Sequence, residues 1–289
     1  MKIIKTISEL EPIVHSDLKK AFVPTMGNLH AGHLHLIDVA KKSVSSNKGL
    51  TIASIFVNRL QFAPHEDFDQ YPRTLEQDCE LLEARGCDVV FAPDESVLYP
   101  SPQTFKVVPP GELADLWEGH FRPGFFTGVC TVVAKLFSMI RPDVAVFGQK
   151  DYQQLKVIQQ MVQQLNMPIQ IIGAPTQRNE SGLALSSRNN YLNAQQILKA
   201  LELQAQLQKV AHDVHHTTLD FASITAQAFE VLTQKGWQVD YVSLVKQSDL
   251  TLAHRGQDEQ LVCLAAAKLG NTRLIDNLEI TLTTSTSKT

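Results

Sequence analysis

The fold is decided by residues 21–44, AFVPTMGNLHAGHLHLIDVAKKSV, where an apolar run leads into a loop with two glycines and two histidines and then into a helical pattern. The run AFVPTMG at 21–27 predicts a buried strand. In LHLIDVAKKSV at 34–44, apolar residues recur at helical spacing. The stretch therefore predicts a strand, a loop and a helix, the first part of a βαβ unit.

The same alternation continues to about residue 173. Further strands are expected at 51–58, 87–93, 143–148 and 168–173. Helices are expected at 72–85, 126–140 and 152–166. A chain that alternates in this way forms βαβ units, so we expect an α/β fold with a parallel sheet and helices on both faces.

The pattern changes near residue 176. Two helices are expected at 194–213 and 218–235, followed by strands at 238–245 and 261–269. These elements predict a smaller α+β domain, so the chain is divided into domains at 1–176 and 177–289. The polar end TLTTSTSKT, 281–289, is expected to be disordered.

Composition restricts the classes of function. The chain has 289 residues and a net charge of -4, which gives no general attraction to a polyanion, so nucleic acid is not an expected partner. The four cysteines form no CxxC pair and are expected to be reduced thiols. The N-terminal stretch is too short and too polar for a signal peptide, and no run of 18 apolar residues occurs. A cytoplasmic protein without membrane contact is expected.

The segment PTMGNLHAGH, 24–33, lies where a strand passes into a helix. Such junctions bind ligands in parallel sheets, and the free N–H groups of a helix start favour phosphate. His30 and His33 are three residues apart and can donate toward the same anion, while Gly32 leaves space for a close approach. The alternative is a pair of solvated loop histidines. Zinc is disfavoured because the segment has no HExxH pattern and no cysteine.

Three further segments add groups suited to phosphate or polar ligands. FGQKDYQQL, 147–155, places Lys150 at a helix start, and LALSSRN, 183–189, offers two hydroxyls and a guanidinium in succession. FVNRLQF, 56–62, places Asn58 and Gln61 just after a strand. Taken singly, each also fits an ordinary reading: an exposed lysine, a turn and a polar loop.

Together these segments resemble a known family. HAGH is similar to the HIGH signature, and LSSR to a shortened KMSKS loop, of the nucleotidylyltransferase superfamily that includes class I aminoacyl-tRNA synthetases. Within it, seven segments resemble the motifs of the pantothenate synthetase family in the same order. They are PTMGNLHAGH, SIFVNRLQF, YPRT, RPGFFTGVCTVVAKLF, FGQKDYQQL, GLALSSRN and LGNTRLIDN.

The resemblance implies an activity and a fold. The family joins pantoate to β-alanine with ATP, through a pantoyl adenylate, and releases pantothenate, AMP and pyrophosphate. Mg²⁺ accompanies ATP. The implied fold is a Rossmann-like N-terminal domain, usually the dimerising part, with a smaller C-terminal domain that closes over the active site, so a homodimer is expected.

The resemblance also assigns residues. The residues implied to bind ATP are Met26, Gly27, Asn28, Leu29, His30, Ala31, Gly32, His33, Gly148, Gln149, Lys150, Asp151, Leu185, Ser186, Ser187 and Arg188. Gln61 and Gln154 are implied to hold pantoate. The groups expected to absorb the charge of the reacting phosphates, and so to be catalytic, are His30, His33, Lys150, Ser186, Ser187 and Arg188. No protein ligand of a metal is expected, because Mg²⁺ arrives with ATP.

Four positions depart from the family pattern. Arg59 stands where proline is usual, Phe125 where histidine is usual, Gln149 where glutamate is more frequent and Ser181 where aspartate is usual. Two rival readings are a related nucleotidylyltransferase or synthetase fragment and a nucleotide-binding regulator without turnover. The net charge of -4 disfavours the first, and retention of both histidines, Lys150 and the Ser-Ser-Arg triplet disfavours the second.

Overall fold

The structure is a computed structural model that describes residues 1–45, 49–64, 66 and 68–282. The contacts divide the chain into two compact units. The first comprises Met1–Gln149 and Gln154–Gln177, and the second comprises Lys150–Gln153 and the chain from Arg178 onward. That the second domain covers the active site stays a prediction.

A six-stranded sheet forms the centre of the first unit, and every strand pair in it is parallel. Its spatial order is β1-β4-β3-β2-β5-β6. The strands are β1 (Lys2–Ile4), β2 (Lys20–Thr25), β3 (Leu50–Ile55), β4 (Val89–Phe91), β5 (Val144–Gly148) and β6 (Gln170–Ala174). The α/β prediction is confirmed. Strand β1 was not predicted, because its three residues are too few to show a period.

Among the described residues, eight α-helices belong to the part of the chain that contains this sheet. They are α1 (Ile7–Val14), α2 (Ala31–Val44), α3 (Leu75–Ala84), α4 (Glu95–Leu98), α5 (Gly111–Ala114), α6 (Glu118–Phe121), α7 (Phe125–Ile140) and α8 (Tyr152–Gln164). The first two residues of α8 group with the second unit. The sequence predicted α2, α3, α7 and α8 but not the four others, of which three span only four residues each.

Both faces of the parallel sheet are buried. Ala21 and Val23 of β2 share one hydrophobic cluster with Ile37 of α2. Phe22, which points to the opposite face, meets Phe137 of α7 edge to face with ring centroids 6.3 Å apart. The inner strands β2, β3, β4 and β5 are buried along most of their length, so they read in the sequence as continuous apolar runs.

The second unit packs two helices, α9 (Ala194–His216) and α10 (Phe221–Gln234), against a three-stranded antiparallel sheet. The sheet order is β7 (Gln238–Lys246), β8 (Gln260–Leu269) and β9 (Thr272–Thr281). The smaller α+β domain is therefore confirmed. Strand β9 was missed because polar residues interrupt its apolar ones, and its last residue, Thr281, corrects the start of the predicted tail; residues 283–289 of that tail lie outside the described residues.

All four cysteines are buried free thiols. Burial raises the pKa of Cys87 to about 11 and that of Cys130 to about 12. None of the helices in the described ranges is both long enough and apolar enough to cross a bilayer.

Candidate functional site

The loop after β2 makes a tight turn before α2 begins. Gly27 and Asn28 both have left-handed backbones, with φ of +80° and +52°. A Cβ on Gly27 would lie 2.9 Å from Asp78 Oδ2 and 3.1 Å from Ile55 Cγ2, so this turn requires glycine for space as well as for φ. The Gly27 N–H donates to Thr25 Oγ1 over 3.2 Å, which ties the turn to the end of the strand.

Asp78 holds the same turn from α3. Its carboxylate accepts the backbone N–H groups of Asn28 at 2.9 Å and Leu29 at 2.8 Å, and the Thr74 hydroxyl at 3.1 Å. Asp78 is 1% exposed. The Asp78 carboxylate therefore holds the backbone N–H groups of the turn, and the conformation of the turn does not depend on a bound ligand.

His30 and His33 form the cap of α2. His30 is the N-cap residue, and its Nδ1 accepts the Gly32 N–H at 3.1 Å. His33 Nδ1 accepts the His30 N–H at 3.3 Å, and the two ring centroids are 4.1 Å apart. Since both Nδ1 atoms accept, each neutral ring carries its proton on Nε2. The cap thus supplies two ring N–H donors beside a helix start, an arrangement suited to an anion.

The position of this cap in the sheet is the one where ligands bind in open parallel sheets. β2 pairs with β3 on one side and with β5 on the other, so the strand order reverses between β2 and β5. Ligands bind at the carboxyl ends of the strands at such a reversal. The loop Met26–His30 follows β2, and Gly148 with Gln149 ends and follows β5. The structure therefore brings these two predicted segments to neighbouring strand ends.

Gln61 lies next to the loop after β2. It ends a short 3-10 helix, Arg59–Gln61, which Asn58 caps. Strand β3 ends at Ile55, before the predicted residue 58. Gln61 Nε2 is 3.3 Å from Met26 Sδ, and Asn58 Nδ2 donates to Gln61 Oε1 at 3.1 Å. Asn58 is 1% exposed, so of the two readings of this segment, a ligand-binding loop or an ordinary polar loop, the exposed polar loop does not hold for Asn58.

Two residues of the RPGFFTG segment, Arg122 and Gly128, contact the backbone at Gln61. Arg122 binds Glu66 with two charge-assisted hydrogen bonds, of 2.7 and 2.9 Å, and donates to the Gln61 carbonyl at 3.3 Å. Gly128 of α7 lies against the same backbone, where a Cβ would be 2.2 Å from the Leu60 carbonyl oxygen. Glycine at this position therefore lets the backbone of Leu60 and Gln61 pack directly against α7.

Gln154 lies in the first turns of α8, after β5, and is half-buried. Its helix therefore starts on the opposite side of β2 from the strand that leads to Gln61.

Side chains of strand β9 form hydrogen bonds with the turn that carries the predicted site residues Lys150 and Asp151, on either side of that turn. Asn277 Nδ2 donates to the Lys150 carbonyl at 2.9 Å, and the Tyr152 hydroxyl donates to Glu279 Oε1 at 2.7 Å. Burial and the Glu279 carboxylate raise the pKa of Tyr152, which keeps this phenol a donor. The turn that carries Lys150 and Asp151 is thereby fixed to one strand of the antiparallel sheet.

The Ser-Ser-Arg segment is tied to the same strand. Arg178 binds Asp276 through two hydrogen bonds, of 2.7 and 2.8 Å, and its bridge to Ala184 leads the chain toward Leu185. Ser186 then caps a short 3-10 helix, Ser187–Tyr191, by accepting the Arg188 N–H at 3.3 Å. Leu185 and the Ser-Ser-Arg triplet are all half-buried.

The four departures from the family pattern have local roles. Arg59 pairs with Glu95 at 3.3 Å on the surface. Phe125 stacks under the Arg122 guanidinium, 3.7 Å from the ring centroid. Ser181 donates to Asn179 Oδ1 at 2.8 Å within its turn, and Gln149 opens the short 3-10 turn after β5.

Sequence reasoning missed the residues that support the site. They are Asp78, Tyr99, Arg122, Arg178 and Asp276, each bonded to a partner far away in the chain. One signal was available, because Asp78 lies on the buried face of α3 with Cys79 and Leu82, where an unpaired carboxylate would be costly.

The sequence is similar to known proteins along almost its whole length. The family model for pantoate-beta-alanine ligase matches residues 2–279. A pantothenate synthetase of Leptothrix cholodnii is 54% identical over 288 residues, covering 96% of this chain and 100% of that one. One of Nitrosomonas europaea is 52% identical over 282 residues, covering 98% and 100%.

Solved structures of pantothenate synthetases have a similar fold. A pantothenate synthetase of Thermus thermophilus has a TM-score of 0.90 at 39% identity, covering 98% of this chain and 100% of that one. A pantoate-beta-alanine ligase of Francisella tularensis, crystallised with beta-gamma ATP and beta-alanine, has a TM-score of 0.76 at 34% identity, covering 96% and 97%. With a family model across almost the whole sequence and relatives above half identity over their full length, the chain belongs to the pantoate-beta-alanine ligase family.

Proposed function

We propose that the ATP-dependent ligation of pantoate to β-alanine, the reaction of this family, proceeds in this enzyme through a pantoyl adenylate. The observation that carries the proposal is the histidine-capped start of α2 at the strand-order reversal, with the Gln61 amide beside the same loop. A donor-rich helix start accommodates phosphate, and an adjacent amide accommodates the oxygens of a hydroxy acid.

The reaction has two steps. A pantoate carboxylate oxygen attacks the α-phosphorus of ATP, the bond from that phosphorus to the β-phosphate oxygen breaks, and pyrophosphate leaves. The β-alanine amine then attacks the acyl carbon, the bond to AMP breaks, and the amine proton passes to solvent. Neither step needs a covalent bond to the protein, so the side chains act by position and charge.

We assign ATP to three blocks of the chain, Met26–His33, Gly148–Asp151 and Leu185–Arg188. Charge builds on the phosphate oxygens and on departing pyrophosphate during the first step. The groups that stabilise it are His30, His33, Lys150, Ser186, Ser187 and Arg188. Mg²⁺ enters with the triphosphate as part of the nucleotide substrate and neutralises its oxygens.

We assign pantoate to Gln61 and Gln154. An amide donates and accepts hydrogen bonds, so it can pair with both a hydroxyl and a carboxylate. The contact of Gln61 with Met26, a residue of the first ATP block, supports this assignment because the reacting carboxylate must approach the α-phosphate.

The enzyme is proposed to work as a homodimer in the cytoplasm. Phe105 is 89% exposed and Val108 is 72% exposed, and both lie in the first unit, the part that dimerises in the family. Phe105→Asp is expected to convert the dimer to a monomer in light scattering, and an unchanged mass would place the interface elsewhere.

Four buried free thiols fit a reducing compartment.

A coupled assay of AMP release tests the activity. The complete mixture of ATP, Mg²⁺, pantoate and β-alanine is expected to release AMP continuously, and omission of any one component is expected to stop turnover. Continuous AMP release without pantoate would contradict the proposed substrate.

A further inference from the structure

Tyr99 is one of the supporting residues of the site, and it has been given no role toward a substrate so far. It follows α4, and its hydroxyl donates to Asn58 Oδ1 over 2.8 Å. Its ring packs edge to face with Phe56 at 5.8 Å between centroids. Burial, with a smaller effect of Glu95, raises the pKa of Tyr99, so the phenol stays a hydrogen-bond donor throughout the working pH range of an enzyme.

The orientation of the Asn58 amide is fixed from two sides. Asn58 Nδ2 lies 3.2 Å from the Gly128 carbonyl oxygen, which can only accept, so the amide nitrogen must face Gly128. The amide oxygen then faces the Tyr99 hydroxyl and, more weakly, the Leu60 N–H at 3.4 Å. An amide turned by 180° would set two oxygens against each other at Gly128.

This orientation passes on to Gln61. Asn58 Nδ2 also donates to Gln61 Oε1 at 3.1 Å, so the carbonyl side of the Gln61 amide is occupied by Asn58. The NH₂ side is directed to Met26 Sδ at 3.3 Å. A thioether is a weak acceptor, and a substrate oxygen would be a better partner for that NH₂ group.

We propose that Tyr99 is a positioning residue for pantoate, acting through Asn58 to hold the Gln61 amide with its NH₂ group toward an oxygen of the substrate. The proposal rests on the assignment of pantoate to Gln61. Tyr99 touches no substrate itself; its hydroxyl holds the Asn58 oxygen at one end of a three-residue hydrogen-bond chain, whose direction is set by the Gly128 carbonyl. Loss of that hydroxyl leaves the buried Asn58 oxygen with only a long bond, which weakens the hold on Gln61.

A double-mutant cycle between Tyr99→Phe and Gln61→Ala tests the proposal. Tyr99→Phe alone is expected to raise the KM for pantoate roughly tenfold and to leave the KM for ATP within about twofold. In the Gln61→Ala background, the same substitution is expected to change the pantoate KM by less than about twofold, because Tyr99 acts through Gln61. Tyr241→Phe, which removes the hydroxyl of a buried tyrosine in the second unit, is the matched control and is expected to leave the pantoate KM unchanged.

The outcomes are distinct. An equal rise of the pantoate KM in both backgrounds, or a parallel rise of the ATP KM, would overturn the positioning role. An unchanged pantoate KM in Tyr99→Phe would overturn it as well. If Gln61→Ala alone leaves the pantoate KM unchanged, the assignment of pantoate to Gln61 fails, and the role of Tyr99 falls with it.

Discussion

At the scale of single residues, a few buried polar groups determine the shape of the site. Asp78 takes the backbone N–H groups of Asn28 and Leu29, so those donors serve the turn rather than a ligand. The ring N–H groups of His30 and His33 remain oriented by their own backbone contacts. One set of contacts therefore fixes the loop, and the two histidine rings form the second set, which we propose meets the substrate.

Asp78→Asn is expected to destabilise the protein by about 1–3 kcal/mol and to raise the KM for ATP. The amide nitrogen of asparagine cannot accept a hydrogen bond, so at least one of the three donors that Asp78 binds would lose its partner. Asp38→Asn is the control, since the Asp38 carboxylate pairs with Arg85 at 3.7 Å on the surface. Denaturant unfolding and the ATP KM measure both effects. Equal behaviour of the two variants would show that Asp78 is not the anchor of the turn.

Arg188→Lys is expected to lower kcat/KM for ATP by at least about tenfold, although the charge is kept, because only a guanidinium can bond two phosphate oxygens side by side. Arg85→Lys, on the surface of the first unit, is the control. Initial-rate kinetics decide the matter. Near-normal kcat/KM in Arg188→Lys would mean that the Ser-Ser-Arg triplet serves only as a turn.

At the scale of elements, strand β9 is the common support of two proposed phosphate-binding segments. Asp276 holds Arg178 ahead of the Ser-Ser-Arg triplet, and Asn277 holds the Lys150 carbonyl. The two side chains are adjacent in the strand, and Asp276 Oδ1 accepts the Asn277 N–H at 2.8 Å. This arrangement gives a structural reason for the closing motif LGNTRLIDN.

Asp276→Asn is therefore expected to raise the ATP KM roughly tenfold, since one of two charge-assisted bonds to Arg178 is lost. Asp240→Asn removes a comparable pair in the same sheet, with Arg273 at 2.6 Å, and holds no proposed site segment. The control is expected to lose stability but not ATP affinity. If both variants shift the ATP KM alike, β9 supports the fold and not the nucleotide site.

The sequence predicted most of the elements because buried parallel strands appear as continuous apolar runs and helices with one buried face show apolar residues at helical spacing. It failed for β9, where Asp276 and Asn277 are buried polar residues paired with Arg178 and Lys150. No local pattern distinguishes such a strand from a polar loop. For the same reason Asn58 and Asp78 were not recognised as supports, since their partners lie 70 and 50 residues away.

At the scale of the whole molecule, the first step of the proposed reaction is independent of the second substrate. Pyrophosphate leaves when the adenylate forms, before β-alanine acts. His33 is assigned to that departure, and removal of one preorganised donor costs on the order of 10²- to 10³-fold in rate. His33→Ala is therefore expected to slow formation of the adenylate by about that factor, while supplied pantoyl adenylate reacts with β-alanine at a much less impaired rate. Equal loss in both half-reactions would make His33 a structural residue.

The most direct test of the adenylate is the exchange of labelled pyrophosphate into ATP. The wild-type enzyme with ATP, Mg²⁺ and pantoate, but no β-alanine, is expected to incorporate the label, because the first step is reversible and complete in itself. Omission of pantoate is expected to abolish the exchange. Exchange that strictly required β-alanine would contradict the adenylate mechanism.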